Sequence, residues 1–149
     1  MAEPYVSYKR AKFSTRLPTD RCYTAGHYWL AGHSPGVWRI GLTKFALRFL
    51  GELVEYDFEV QPGAELEVGQ VIGWLEGFKA VTDLYCPMAG RFAGPNTDLE
   101  KTLALVQSDT YDRGWLYSVE GQPSDDCLDA TQYAAALDQT IDEMTGRSA

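Results

Sequence analysis

Histidine is nearly missing from this chain. His27 and His33 are the only two, and neither has acidic or thiol companions at ligand spacing, which argues against a metal site. Each is expected to pack or to hydrogen-bond. Cysteine is scarce and odd in number: Cys22, Cys86 and Cys127 are far apart and form no CxxC pattern. Reduced thiols in a reducing compartment are therefore expected. No apolar run approaches the roughly 20 residues of a membrane helix, and the N-terminus has no apolar signal core, so the expected location is the cytoplasm. Basic residues are outnumbered 13 to 21, giving a net charge of −8. Nucleic-acid binding needs Lys and Arg to neutralise phosphates, so that class is disfavoured; steering toward basic faces on partner proteins is allowed.

What is present is an ordinary globular composition, with 45% hydrophobic and 23% charged residues over 149 positions. That length suits one domain with a real core. Two β-prone runs stand out. Val71, Ile72, Trp74 and Leu75 precede Lys79; Val81, Leu84 and Tyr85 follow it. Branched and aromatic residues fit a pleated, half-buried surface, and Gly or Pro bounds each run, so two antiparallel strands are predicted. Gly77-Phe78-Lys79-Ala80 falls at the bend between them, which would lift the Lys79 amine into water. An exposed amine on a rigid tip suits covalent attachment of a group that must visit other active sites.

The same residues carry a resemblance. Glu76-Gly77-Phe78-Lys79-Ala80-Val81-Thr82-Asp83-Leu84-Tyr85-Cys86-Pro87 resembles the lipoyl-lysine hairpin of the glycine cleavage H-protein family, which typically reads Glu-Ser-Val-Lys-Ala-Ala-Ser-Asp-Ile-Tyr-Ser-Pro. The Glu, Lys, Ala, Asp, Tyr and Pro stand at equal spacing. Tyr23, Thr24, His27 and Trp29 match the family's Tyr-Thr-Lys-x-His-Glu-Trp, and Gly41-Leu42-Thr43 its helix start. Gly90, Asn96, Leu99 and the stretch Asp109 to Leu116 match further on, with Thr110 in place of a proline. The resemblance spans about Arg21 to Met144. It implies lipoate in amide linkage on Lys79, with Glu76 and Gly63 as positions on which the family and its lipoate-attaching enzyme rely. Read by themselves, Glu76 is a surface charge and Gly63 a turn residue with positive φ.

Along the chain, residues 1–21 hold Lys9, Arg10, Lys12, Arg16 and Arg21 but no sustained apolar period. A basic, flexible N-terminal extension packed weakly on the body is expected there, with a basic docking tail as the alternative, and the H-protein-like domain follows over 22–149. Cys22 to Leu30 and Val37 to Leu42 read as strands around the turn-rich Gly32 to Gly36. Phe45, Ala46, Phe49 and Leu50 recur at helical spacing, with Thr43 as cap and Gly51 as terminator. From Val54 to Val60 a period of two predicts a buried face of Val54, Tyr56, Phe58 and Val60. Glu100 to Val106 could form a brief helix, and Tyr117 to Val119 a last strand. A helix is predicted from Ser124 onward, with Leu128, Ala134, Leu137, Ile141 and Met144 as its apolar stripe and Gly146 at its end. The fold class implied by the resemblance is mostly β: a barrel-sandwich hybrid with a short internal helix and a C-terminal helix.

The resemblance implies a carrier, not an enzyme. A tethered dithiolane raises the local concentration of its sulfurs at each partner site and works by thiol–disulfide exchange. A biotin carrier would share this fold, but biotin sites usually show Met-Lys-Met and this chain has Phe78-Lys79-Ala80. Several departures fall at polar positions: Tyr28 stands for a Glu, Lys44 for an acid, Leu47 for Gln, and Gly77-Phe78 for Ser-Val. They favour, as an expectation, the lipoate-binding relatives of sulfur oxidisers, which serve a heterodisulfide-reductase-like complex. The alternative is aminomethyl transfer among glycine decarboxylase, aminomethyltransferase and dihydrolipoyl dehydrogenase. A second alternative is an unmodified binding module. No nucleic acid, membrane or metal enters any of these readings.

Overall fold

A computed structural model describes residues 3–146. A hairpin of β1 (Tyr5–Arg10) and β2 (Phe13–Pro18) opens the chain. Next come β3 (Cys22–Tyr23), β4 (Tyr28–Ser34), β5 (Val37–Leu42) and the short α1 (Lys44–Leu47). β6 (Leu53–Phe58), β7 (Glu65–Leu66), β8 (Val71–Gly77), β9 (Val81–Tyr85) and β10 (Gly90–Pro95) form the middle. A 3-10 turn (Thr97–Glu100), α2 (Leu105–Ser108), β11 (Tyr117–Gly121) and α3 (Ala130–Thr145) complete it.

The pairing gives three open sheets: β1-β2, a six-stranded sheet ordered β3-β4-β5-β11-β10-β7, and a three-stranded sheet ordered β6-β8-β9. The mostly-β class with a short internal helix and a C-terminal helix is therefore the observed one. Ile40, Ile72, Leu75, Leu84, Phe92 and Val119 are fully buried in the main core, which draws on both larger sheets. A second core lies on the other face of β4. Trp29 and Leu30 are neighbours on one strand and must point oppositely, yet both are buried at 1% exposure. Leu30 joins the main core, while Trp29 packs with Tyr8, Phe13, Leu17, Tyr133 and Leu137. Strand β4 is thus covered on both faces, and its cover is the N-terminal hairpin with α3.

That cover corrects two expectations. Residues 5–18 are an ordered hairpin packed on the body rather than a flexible arm. Tyr8, Phe13 and Leu17 are each buried, and full burial of such a side chain is worth about 1.5–3 kcal/mol. The Tyr8 hydroxyl donates to Asp138 at 2.8 Å, and Arg10 makes a two-pronged contact with Asp142 at 2.8 and 2.7 Å. Cys22 and Cys127 are not free thiols either. They form a disulfide with Cα atoms 5.8 Å apart, because Tyr23 and Leu128 exchange backbone hydrogen bonds of 2.7 Å in each direction. Long-range pairing of this kind leaves no trace in local spacing. Only Cys86 stays free; it is buried, its thiol donates to the Met88 carbonyl at 2.9 Å, and burial raises its pKa.

Two boundaries also shift. The C-terminal helix starts at Ala130 rather than near Ser124, because Asp129 and Gln132 form a reciprocal capping box. Its buried face is Ala130, Tyr133, Leu137 and Ile141, while Met144 is 58% exposed and Leu128 precedes the helix. In β6 a register shift between Leu53 and Glu55 resets the alternation, so Leu53 is buried and Val54 is 44% exposed. A bulge places an extra residue against one partner, which a strict period of two cannot anticipate.

His27 packs as expected. Its Nδ1 lies 2.8 Å from the Tyr133 hydroxyl, which is also 2.8 Å from Thr43 Oγ1, and its ring meets Phe45 with centroids 4.8 Å apart. Burial lowers the His27 pKa below the ordinary 6.5. The unfolded chain then takes up the proton first as pH falls, so stability is lost on acidification through and below about 6.5. His27→Gln should flatten that part of the pH–stability curve, as read by denaturant midpoints at several pH values.

Candidate functional site

The bend between β8 and β9 is built by close approach. Strand β8 carries Ile72, Gly73, Leu75 and Gly77 to buried positions while Trp74 and Glu76 are half-exposed. Its partner β9 returns with Glu76 opposite Val81 and Trp74 opposite Asp83. The bend closes through Gly77 N–H donating to the Ala80 carbonyl at 2.9 Å. Phe78, Lys79 and Ala80 project from it, and all three are exposed.

The tip is not an isolated hairpin end. Lys79 N–H donates to the Leu50 carbonyl at 2.8 Å, and Phe78 N–H donates to the Glu52 carbonyl at 3.0 Å. The segment after α1 thereby holds the backbone of the lysine itself. Gly77 permits that contact, since a Cβ there would stand 2.1 Å from the Leu50 carbonyl oxygen. Gly51, at φ +72°, turns the chain under the lysine; a Cβ there would stand 2.9 Å from Lys79 Cγ. Gln107 fixes this segment in turn, donating to the Gly51 carbonyl at 2.7 Å and accepting from Leu53 N–H at 3.1 Å. From sequence alone Gly51 reads only as a helix terminator, and Gln107 carries no mark of a role at the bend. A Gly after a four-residue helix was the available signal for the first, and nothing local signalled the second.

The surroundings fit an aliphatic arm. A groove of about 750 Å³ runs beside the bend, with Phe45, Phe49, Leu50, Val81, Tyr85 and Met144 among its lining residues. Phe49, Val81 and Met144 are largely exposed there. No carboxylate lines the groove among the described residues. Tyr28 closes one side; its hydroxyl accepts the Tyr85 N–H at 2.8 Å, and burial pushes its phenol up to about 12, so it stays neutral.

The remaining candidates separate. Glu76 sits on β8 beside the bend, opposite Glu55 on one side and Val81 on the other. Gly63 does not join the tip. Strand β6 meets β8 with Leu53 opposite Gly77 near the bend and Phe58 opposite Gly73 away from it, and Gly63 lies beyond that far end. There it has φ +96° and donates to the Phe92 carbonyl at 2.8 Å, which accounts for a glycine by turn geometry alone. Cys86, at 1% exposure, offers no accessible thiol at the surface beside the bend. Among the described residues no three of His, Cys, Asp and Glu converge as metal ligands, and no helix is long and apolar enough to cross a membrane.

Comparison with known proteins bears on this geometry directly. The family model for the glycine cleavage H-protein matches residues 21–142. The glycine cleavage system H protein of Sodalis glossinidius is 34% identical over 128 residues, covering 84% of this chain and 97% of that protein. Its counterpart in Mycobacterium leprae is 43% identical over 103 residues, 69% of this chain and 77% of that one. The crystal structure of a glycine cleavage system H protein from Mycobacterium marinum superposes with a TM-score of 0.72 at 34% identity, covering 82% of this chain and 99% of the other. These relatives favour glycine cleavage and lend no support to the expected heterodisulfide-reductase-like partner. The chain belongs to the glycine cleavage H-protein family, whose members carry lipoate covalently on a lysine and act as carriers rather than as enzymes.

Proposed function

We propose that Lys79 is the lipoylated residue and that the chain ferries an aminomethyl group in glycine cleavage, between glycine decarboxylase, aminomethyltransferase and dihydrolipoyl dehydrogenase. The observation that carries this reading is the exposed Lys79 side chain on a backbone pinned to Leu50 and Glu52. A fixed Cα with a free amine lets an attaching enzyme find one geometry, and lets the finished arm sweep from a defined pivot. Bound lipoate supplies a disulfide ring that opens reductively as cargo is taken up and closes again on loss of two electrons and two protons. The chain supplies the pivot and an apolar groove into which an alkyl arm can lie; it needs no general base of its own. Glu76 and Glu55, paired across the strands, give the bend a negative flank that an attaching enzyme with a basic face would read.

The relatives support the aminomethyl cargo over a sulfur-derived one. Reconstitution tests it. Lipoylated protein, combined with the three glycine cleavage enzymes, glycine, tetrahydrofolate and NAD, should release carbon dioxide and ammonia and reduce NAD in equal amounts. A lipoylated chain that stays silent there, yet is turned over by a heterodisulfide-reductase-like complex, would reverse the assignment.

A further inference from the structure

On this acidic chain a basic depression lies beside α1. It holds about 410 Å³ between the N-terminal hairpin and α1, and Lys12, Ser14, Lys44, Arg48 and Gln107 line it together with Phe13. No carboxylate lines it among the described residues. Arg10, Arg21 and Arg91 have carboxylate partners elsewhere, whereas Lys12, Lys44 and Arg48 have no ion pair among the described residues. All three are exposed. Arg48 is also held in place, its guanidinium lying 4.8 Å above the centre of the Phe13 ring. On a chain of net charge −8, solubility alone does not call for three like charges around one hollow, because their mutual repulsion is unfavourable.

The hollow is close to the arm in the fold. Helix α1 contributes Lys44 and is followed by Arg48, and the next two residues lead to Leu50, whose carbonyl holds Lys79. Gln107 lines the depression and also grips Gly51. The hairpin supplies Lys12 and Phe13 from outside the span matched by the family model, which begins at residue 21. The added hairpin therefore builds half of a charged surface beside the family's lysine bend.

We propose that this depression is a docking site for an acidic surface segment of an enzyme that works on the Lys79 arm; this rests on the reading of Lys79 as the cargo-bearing residue. The occupant is a protein face rather than a small oxyanion. The cations end long, exposed stems, and the lining lacks a buried, unpartnered donor of the kind that encloses a phosphate. Exposed charges of this sort act mainly through encounter and orientation, and salt screens them.

The test uses Lys12→Glu/Lys44→Glu, which keeps the Arg48–Phe13 stack and puts an acid in the first turn of α1, where it is tolerated. Thermal melts confirm folding. With lipoylated protein, KM for at least one of the three glycine cleavage enzymes should rise about tenfold at low salt with kcat little changed, and the gap should close to about twofold or less near 0.5 M salt. Equal KM values and equal salt slopes for all three enzymes would overturn the proposal. A second arm needs no enzyme: an octaglutamate peptide is titrated into the wild-type protein and backbone amide shifts are followed by NMR. Shifts centred on Lys12, Lys44 and Arg48 support the site; none there, or a saturable response to inorganic phosphate instead, refutes it. Enzymes inactive toward wild type, together with a positive peptide titration, would refute the cleavage reading and leave the docking surface standing.

Discussion

Lys79→Arg should fold normally and accept no lipoate at all. The side chain is exposed, and the part of its stem that passes Gly51, Cγ and Cδ, consists of methylenes that arginine shares. Surface substitutions of this kind usually change stability by less than about 0.5 kcal/mol. Charge is unchanged as well. What disappears is the nucleophile: an ammonium can shed a proton and present a lone pair, whereas the guanidinium stays protonated. Incubation with a lipoate-attaching enzyme, lipoate and ATP should leave the variant's mass unaltered while wild type gains one lipoyl group. Carrier turnover should fall to background, and the melting curves should coincide. Retained turnover would place the cofactor on another residue.

Gly77→Ala should be the most damaging single methyl near the site. Its Cβ would lie 2.1 Å from the Leu50 carbonyl oxygen, 2.7 Å from that carbonyl carbon and 3.1 Å from the Gly51 oxygen. All three are backbone atoms, so no side chain can swing aside. The bend and the Leu50–Glu52 segment must separate, and the hydrogen bonds from Lys79 to Leu50 and from Phe78 to Glu52 are lost with them. Overpacking costs about 1–3 kcal/mol, and each lost backbone bond adds about 1 kcal/mol. We expect a stability loss of roughly 3–5 kcal/mol from these terms together. Hydrogen exchange should show the Phe78 and Lys79 amides losing protection first. Lipoylation should slow by about tenfold or more, since misplacement by an ångström costs on the order of 100-fold at a positioned site. Unchanged protection and unchanged lipoylation kinetics would mean that the tip does not depend on its contact with Leu50.

The lysine bend was legible because its signals are local. Two β-prone runs, a glycine before the bend and a lysine within it lie inside about twenty residues. The Thr43 cap was equally plain, and its side chain does accept from Ala46 N–H. What escaped sequence reading is non-local. Tyr8, Phe13 and Leu17 look unpatterned until α3, more than a hundred residues later, supplies the surface that buries them. Their hairpin turns at Ala11, which takes φ 53° without the Gly or Asn that usually marks such a bend. The Cys22–Cys127 pair depends on the same long-range docking. The start of α3 is a different case: Asp129 and Gln132 are spaced as a capping box, a local signal that the apolar stripe from Leu128 obscured. Net charge is blind to distribution: −8 over the whole chain coexists with the basic hollow beside α1.

Intact-mass and peptide-fragment analysis of protein purified from its native host tests the central assignment most directly. The expected spectrum is one lipoyl addition, on Lys79 and on none of Lys9, Lys12, Lys44 or Lys101. An unmodified chain, biotin in place of lipoate, or the lipoyl group on a different lysine would contradict it.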